Sequence, residues 1–115
     1  MNANALKSLE RRRESEAASL ADARETLIRD AATHDAHTLA NRLARLADHE
    51  GRLFVFTSVL TLAESGKADQ IGSWLMMHAT HGAEDSWSGR TNDAARSRHD
   101  GVLAAIREVA QLLNA

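Results

Sequence analysis

The chain is 115 residues long with 14 basic and 16 acidic side chains, giving a formal net charge of −2, and it contains neither cysteine nor proline. That length supports one domain, 1–115, with a core of its own, while the absence of cysteine excludes a disulfide framework or a thiolate metal centre and fits a reducing compartment. Residues 1–60 carry nine basic and nine acidic side chains and residues 61–115 five and seven, so the basic face of an ordinary duplex-binding domain is missing.

Abundant alanine and leucine, with two Trp, two Phe and no Tyr, are the composition of an all-α protein. A first helix is expected from a cap at Asn4 or Ser8 to about Ala32. Its seam of Leu6, Leu9, Ala17, Leu20, Ala23, Leu27, Ile28 and Ala31 is thin in the middle, so that part should touch its neighbours lightly or project. Arg11, Arg12 and Arg13 lie there. The triplet could hold phosphate, but Glu10 and Glu16 stand three or four residues from Arg12 or Arg13, which points to a self-neutralised helix face.

Thr33-His34-Asp35 breaks the periodicity, and a second helix begins near Asp35 or Ala36 with Leu39, Leu43 and Leu46 as its stripe. Gly51 reads as the left-handed residue that ends it. Next comes Arg52–Ser65, RLFVFTSVLTLAES, which has no polar face long enough to sit in water. Its β-branched and aromatic residues would allow a strand, but the chain offers no second alternating run to pair with. It is therefore expected to be a buried central helix (52–65), with Leu53, Phe56, Leu60 and Ala63 on one face, Val55, Val59 and Leu62 on the next, and Ser65-Gly66 as its C-terminal cap.

A fourth helix is expected from Asp69 to just before Gly82, facing inward through Ile71, Trp74, Leu75 and His78. Residues 83–91 have turn composition and read as a loop carrying Trp87. Thr91, Asn92 or Asp93 should cap the last helix, whose seam of Ala95, His99, Val102, Ile106, Val109 and Leu113 is the most regular in the chain. No internal repeat is evident. The expected architecture is a compact bundle of about five helices around 52–65, with long N- and C-terminal helices. No stretch reaches the roughly 18 apolar residues of a membrane span, and the N-terminus leads into a charged helix rather than a signal-peptide core, so the cytoplasm is the expected location.

Histidine is the residue type most able to carry chemistry. His34 and His37, and His78 and His81, stand three apart, and His78, His81 and His99 are the candidates for a metal site. That pattern lacks the HExxH or paired Glu-x-x-His signatures of helical metal centres. With no nucleophile elbow, no cysteine and no glycine-rich phosphate loop, neither an enzyme nor a cofactor is expected. A binding function has more behind it. Trp74, Met76 and Met77 make an apolar run wider than one helix face needs, and with Trp87 they suggest a partner-binding region, Arg11, Arg12 and Arg13 being the next candidates.

The expected function is thus a small non-enzymatic protein–protein interaction module: an adaptor, a chaperone or an inhibitor of a larger assembly. A homodimer through the seam of the first or last helix fits the same features. The alternatives are a nucleic-acid-associated regulator using Arg11, Arg12, Arg13, Arg24, Arg42 and Arg45, and a histidine-ligated metal protein.

Overall fold

The computed structural model describes the backbone of residues 1–32, 34–87 and 93–114, and their side chains except those of residues 81–87 and 93. The described residues form four helices, α1 (Ala3–Asp30), α2 (Ala36–Glu64), α3 (Ile71–Trp87) and α4 (Asp93–Asn114), with one 3₁₀ turn at Ala68–Gln70 ahead of α3. Among the described residues there is no strand, and no helix is long and apolar enough to cross a membrane.

The local signals are mostly those the sequence carries, displaced by a few positions. α1 is capped by Asn2, whose side chain accepts the Ala5 N–H at 2.7 Å, rather than by Asn4 or Ser8. Asp35 caps α2 by accepting the Thr38 N–H at 2.8 Å. At the other end of α2 the Lys67 N–H reaches the Leu62 carbonyl at 2.8 Å and the Gly66 N–H that of Ala63 at 3.3 Å, while Gly66 takes φ +74°. This pair of bonds is a Schellman closure, which needs a left-handed residue at the glycine.

The expectation of about five helices fails at Gly51. Instead of ending a helix it lies inside α2, buried, and the two elements expected on either side of it are one 29-residue helix. Its missing side chain serves packing: a Cβ at Gly51 would lie 2.2 Å from the Arg98 carbonyl oxygen, and one at Gly101 would lie 2.2 Å from the Asp48 carbonyl oxygen. α2 and α4 therefore cross backbone to backbone, each supplying a glycine at the contact. The two glycines sit in short stretches that share three residues of five. These are His49-Glu50-Gly51-Arg52-Leu53 and His99-Asp100-Gly101-Val102-Leu103.

Ion pairs fix the helix directions. Asp30 meets Arg42 at 3.2 Å, Asp22 meets Arg45 at 3.7 Å and Glu16 meets His49 at 2.9 Å, so α1 and α2 run antiparallel. Arg98 lies at Gly51, while Glu108 reaches Arg12, whose guanidinium sits 5.1 Å from the Phe56 ring centroid. Going up α4 from 98 to 108 thus follows α2 from 51 to 56, and the two helices run in the same direction.

The core is Leu9 of α1, Val55, Phe56, Val59 and Leu60 of α2, Ile71 and Leu75 of α3, and Val102, Ala105 and Val109 of α4. The segment 52–65 supplies four of these, yet it is not enclosed on nearly all sides: Thr57 and Thr61 are exposed and Leu53, Phe54 and Leu62 half-buried. Thr61 tolerates this helical position because its hydroxyl donates to the Thr57 carbonyl at 2.9 Å.

Nor does the middle of α1 project. Its inward stripe runs Leu9, Glu16, Leu20, Ala23, passing through Glu16 while Ala17 faces out, and Ile28 is 76% exposed. The seams of α1 and α4 close on α2 in part, while Ala17, Ile28 and Ala31 of the first and Leu113 of the last stay exposed.

Candidate functional site

One helical turn beyond Gly51 on α2, Phe54 meets α3. Its ring centroid lies 5.6 Å from that of Trp74 and 5.4 Å from that of His78, and the Trp74 and His78 rings stack at 4.1 Å. Trp74 and His78 reach one partner together because they stand one helical turn apart. The Arg98 guanidinium covers Phe54 at 5.3 Å, a cation–π contact from α4. The expected inward face of Ile71, Trp74, Leu75 and His78 is therefore the real one, with Ile71 and Leu75 buried and Trp74 and His78 half-buried.

Both methionines of α3 face solvent, Met77 next to the cluster and Met76, two residues from Trp74 and from His78, on the far side of the helix. Met76 is 73% exposed and Met77 48%, and Met77 follows Trp74 by three residues, which makes the two neighbours on the helix surface. Adjoining Phe54 on its other side is an open groove of about 290 Å³ lined by Leu20 of α1 and by Glu50, Leu53, Phe54, Thr57 and Ser58 of α2. Phe54 is common to the aromatic cluster and the groove. The groove was not foreseen from the sequence, although a signal existed: Phe54 belongs to neither of the two apolar faces assigned to 52–65, so a large ring was left pointing along a third.

The loop expected at 83–91 is corrected in its first half, because α3 continues through residues 83–87 and Trp87 is its last residue. The Trp87 side chain lies outside the described residues, as do the proposed caps at Thr91 and Asn92. The arginines do not gather. Arg12 turns inward, Arg11 is exposed and Arg13 half-buried, as three successive helical positions must diverge. Of the six arginines considered for nucleic acid, Arg12, Arg42 and Arg45 are engaged in ion pairs within the fold.

Arg12 belongs to a polar cluster linking three helices. It donates to Glu16 at 2.9 Å and to Glu108 at 2.6 Å, while the second Glu16 oxygen faces His49 Nδ1 at 2.9 Å. Burial works against the Arg12 charge, but the bonds to Glu108 and Glu16 outweigh it and hold the guanidinium proton more tightly than usual. Both Glu16 oxygens are occupied, and no buried side-chain N or O among the described residues lacks a partner. The cluster accordingly has the chemistry of a structural tie. Of the metal candidates, His78 stacks on Trp74, His99 lies half-buried on α4, and the His81 side chain is outside the described set; among the described residues no three His, Cys, Asp or Glu side chains converge on one point.

Comparison with known proteins adds no relative: no family model matches the chain, and neither the curated proteins nor the solved structures provide a significant match.

Proposed function

We propose that this protein is a non-enzymatic protein–protein interaction module, an adaptor, chaperone or inhibitor acting on a larger assembly in the cytoplasm, and that it engages its partner through α3 and the adjoining ring of Phe54. The observation that carries this reading is the exposure of Met76 and Met77 at 73% and 48% on α3, the helix whose Trp74 and His78 form a half-buried aromatic cluster with Phe54 next to Met77. Methionine is unbranched and polarisable and adapts to irregular apolar surfaces, which suits it to a docking face more than to a solvated helix side. Half-buried Trp74 adds a rigid anchor of the type that dominates binding energy at interfaces. The cysteine-free composition fits a reducing compartment.

The test is capture of partners from a lysate of the source cell by the parent protein and by Met76→Ser/Met77→Ser. Both side chains are exposed, so the variant should melt within about 2 °C of the parent, a change under roughly 0.5 kcal/mol. It should lose the captured partner at least tenfold. Equal capture by a folded variant would remove α3 as the interface. The nucleic-acid alternative has less support, because half of its arginines are already paired; tight DNA binding that falls steeply with salt would reinstate it.

A further inference from the structure

Resting on that interaction reading, we propose that the groove between α1 and α2 receives an amphipathic helix of the partner, seated by two apolar side chains one turn apart, with a lysine or arginine of that helix pairing with Glu50. Size comes first. A cavity of roughly 150 Å³ holds one benzene-sized group, so about 290 Å³ has room for about two apolar side chains. It falls at the bottom of the range for small-molecule pockets, which enclose most of their ligand, and this groove is open.

Shape comes second. Glu50, Leu53 and Thr57 follow one another by three and four residues on α2, with Phe54 and Ser58 alongside and Leu20 as the opposite wall. The groove therefore runs along α2 for about two turns, roughly 10 Å at 1.5 Å per residue. An occupant aligned with it presents side chains at i and i+4, as in helix-in-groove recognition.

Charge fixes the polarity of the partner. Among the described residues, Glu50 is the only ionisable one lining the groove, and it is half-buried. Its neighbours three and four positions away on α2 are Leu46, Ala47, Leu53 and Phe54, so its own helix offers no cation. Arg98 covers Phe54 without pairing to it, and among the described residues no ion pair or hydrogen bond engages the Glu50 carboxylate. A carboxylate set among apolar walls favours a cationic partner over a neutral or acidic one.

The experiment titrates the full-length protein with fluorescein-labelled alanine-based helical peptides. One carries leucines at i and i+4 flanked by arginines, a second replaces the arginines with glutamates, and a third replaces the leucines with alanines. The first should bind at least tenfold more tightly than either of the others. Glu50→Arg should reverse the preference between the basic and acidic peptides, and Thr57→Trp, which fills the groove from an exposed position, should abolish binding while leaving the melting temperature unchanged. Equal binding of basic and acidic peptides, or undiminished binding to Thr57→Trp, overturns the proposal. A concentration-dependent dimer that Thr57→Trp disperses also overturns it, by making a second copy of the chain the occupant. Loss of lysate capture in Met76→Ser/Met77→Ser without any peptide binding would leave the interaction reading standing and this inference refuted.

Discussion

Replacing Gly51 with alanine should destabilise the protein although it adds a better helix former to a helix. Propensity alone favours the change by up to about 1 kcal/mol. Against it, the new Cβ would lie 2.2 Å from the Arg98 carbonyl oxygen and 3.1 Å from the Val102 nitrogen. Both are backbone atoms, so no rotamer change relieves the overlap, and α2 and α4 must part by about an ångström, given van der Waals contact near 3.5 Å. That separation loosens the contacts of Val55, Val59, Val102, Ala105 and Val109 in the core. Overpacking costs about 1–3 kcal/mol where side chains can adjust and more where they cannot, which leaves a net loss of about 2 kcal/mol, or roughly 8 °C in Tm.

Thermal and urea unfolding measure the loss, with Gly72→Ala, which meets nothing within 4 Å, as the neutral or slightly stabilised control. Gly101→Ala should cost about as much as Gly51→Ala, and the double variant less than the sum, because helices already parted by the first methyl make room for the second. Gly51→Asn separates this account from the alternative of a helix-ending glycine: asparagine tolerates the left-handed conformation of a cap but is larger than alanine at a crossing. If Gly51→Asn is milder than Gly51→Ala, or if Gly51→Ala matches the Gly72→Ala control, the crossing does not constrain the fold.

Phe56→Ala, at a fully buried ring, should cost about 3–5 kcal/mol in urea unfolding. Arg12→Leu should cost about 1.5–3 kcal/mol: stripping a partner from a buried carboxylate costs more than this, but the Arg12 side chain is 30% exposed. Much of the loss should return in Arg12→Leu/Glu16→Leu, where no buried charge is left behind. Acid sensitivity has an identifiable source in Asp30 and Asp35. The Thr38 N–H holds the Asp35 carboxyl below its ordinary value; at Asp30 burial pushes upward, but the Arg42 hydrogen bond and the charges of His34 and Arg29 prevail and lower it. Stability from such lowered groups is present above the ordinary carboxylate pKa near 4 and is lost as the pH falls through the folded values. Asp35→Asn keeps a capping side chain, so it should match the parent at pH 7 and show a shallower acid decline in a Tm series from pH 7 to 2; an unchanged acid slope would count against this source.

Much of the architecture was legible in the sequence because it depends on local rules. Composition and periodicity gave the all-helical class, Asp35 and Gly66 marked two helix boundaries through caps whose chemistry is local, and the inward face of α3 followed from its spacing. Tertiary structure decided the rest. Gly51 has the same covalent chemistry whether it ends a helix or admits another, and only the arrival of α4, with Gly101 at the same crossing, selects the second. The same holds for α1: its thin middle is completed by Glu16, a residue that enters a core only when Arg12 and His49 meet its charge from α1 and from α2. Of the candidate surface, Trp74, Met76 and Met77 could be named from their spacing, whereas the groove along Phe54 and Glu50 exists only because Leu20 of another helix forms its opposite wall. Spacing along a helix says which side chains share a face; which of those faces a neighbouring helix covers is set by contacts between residues far apart in the chain.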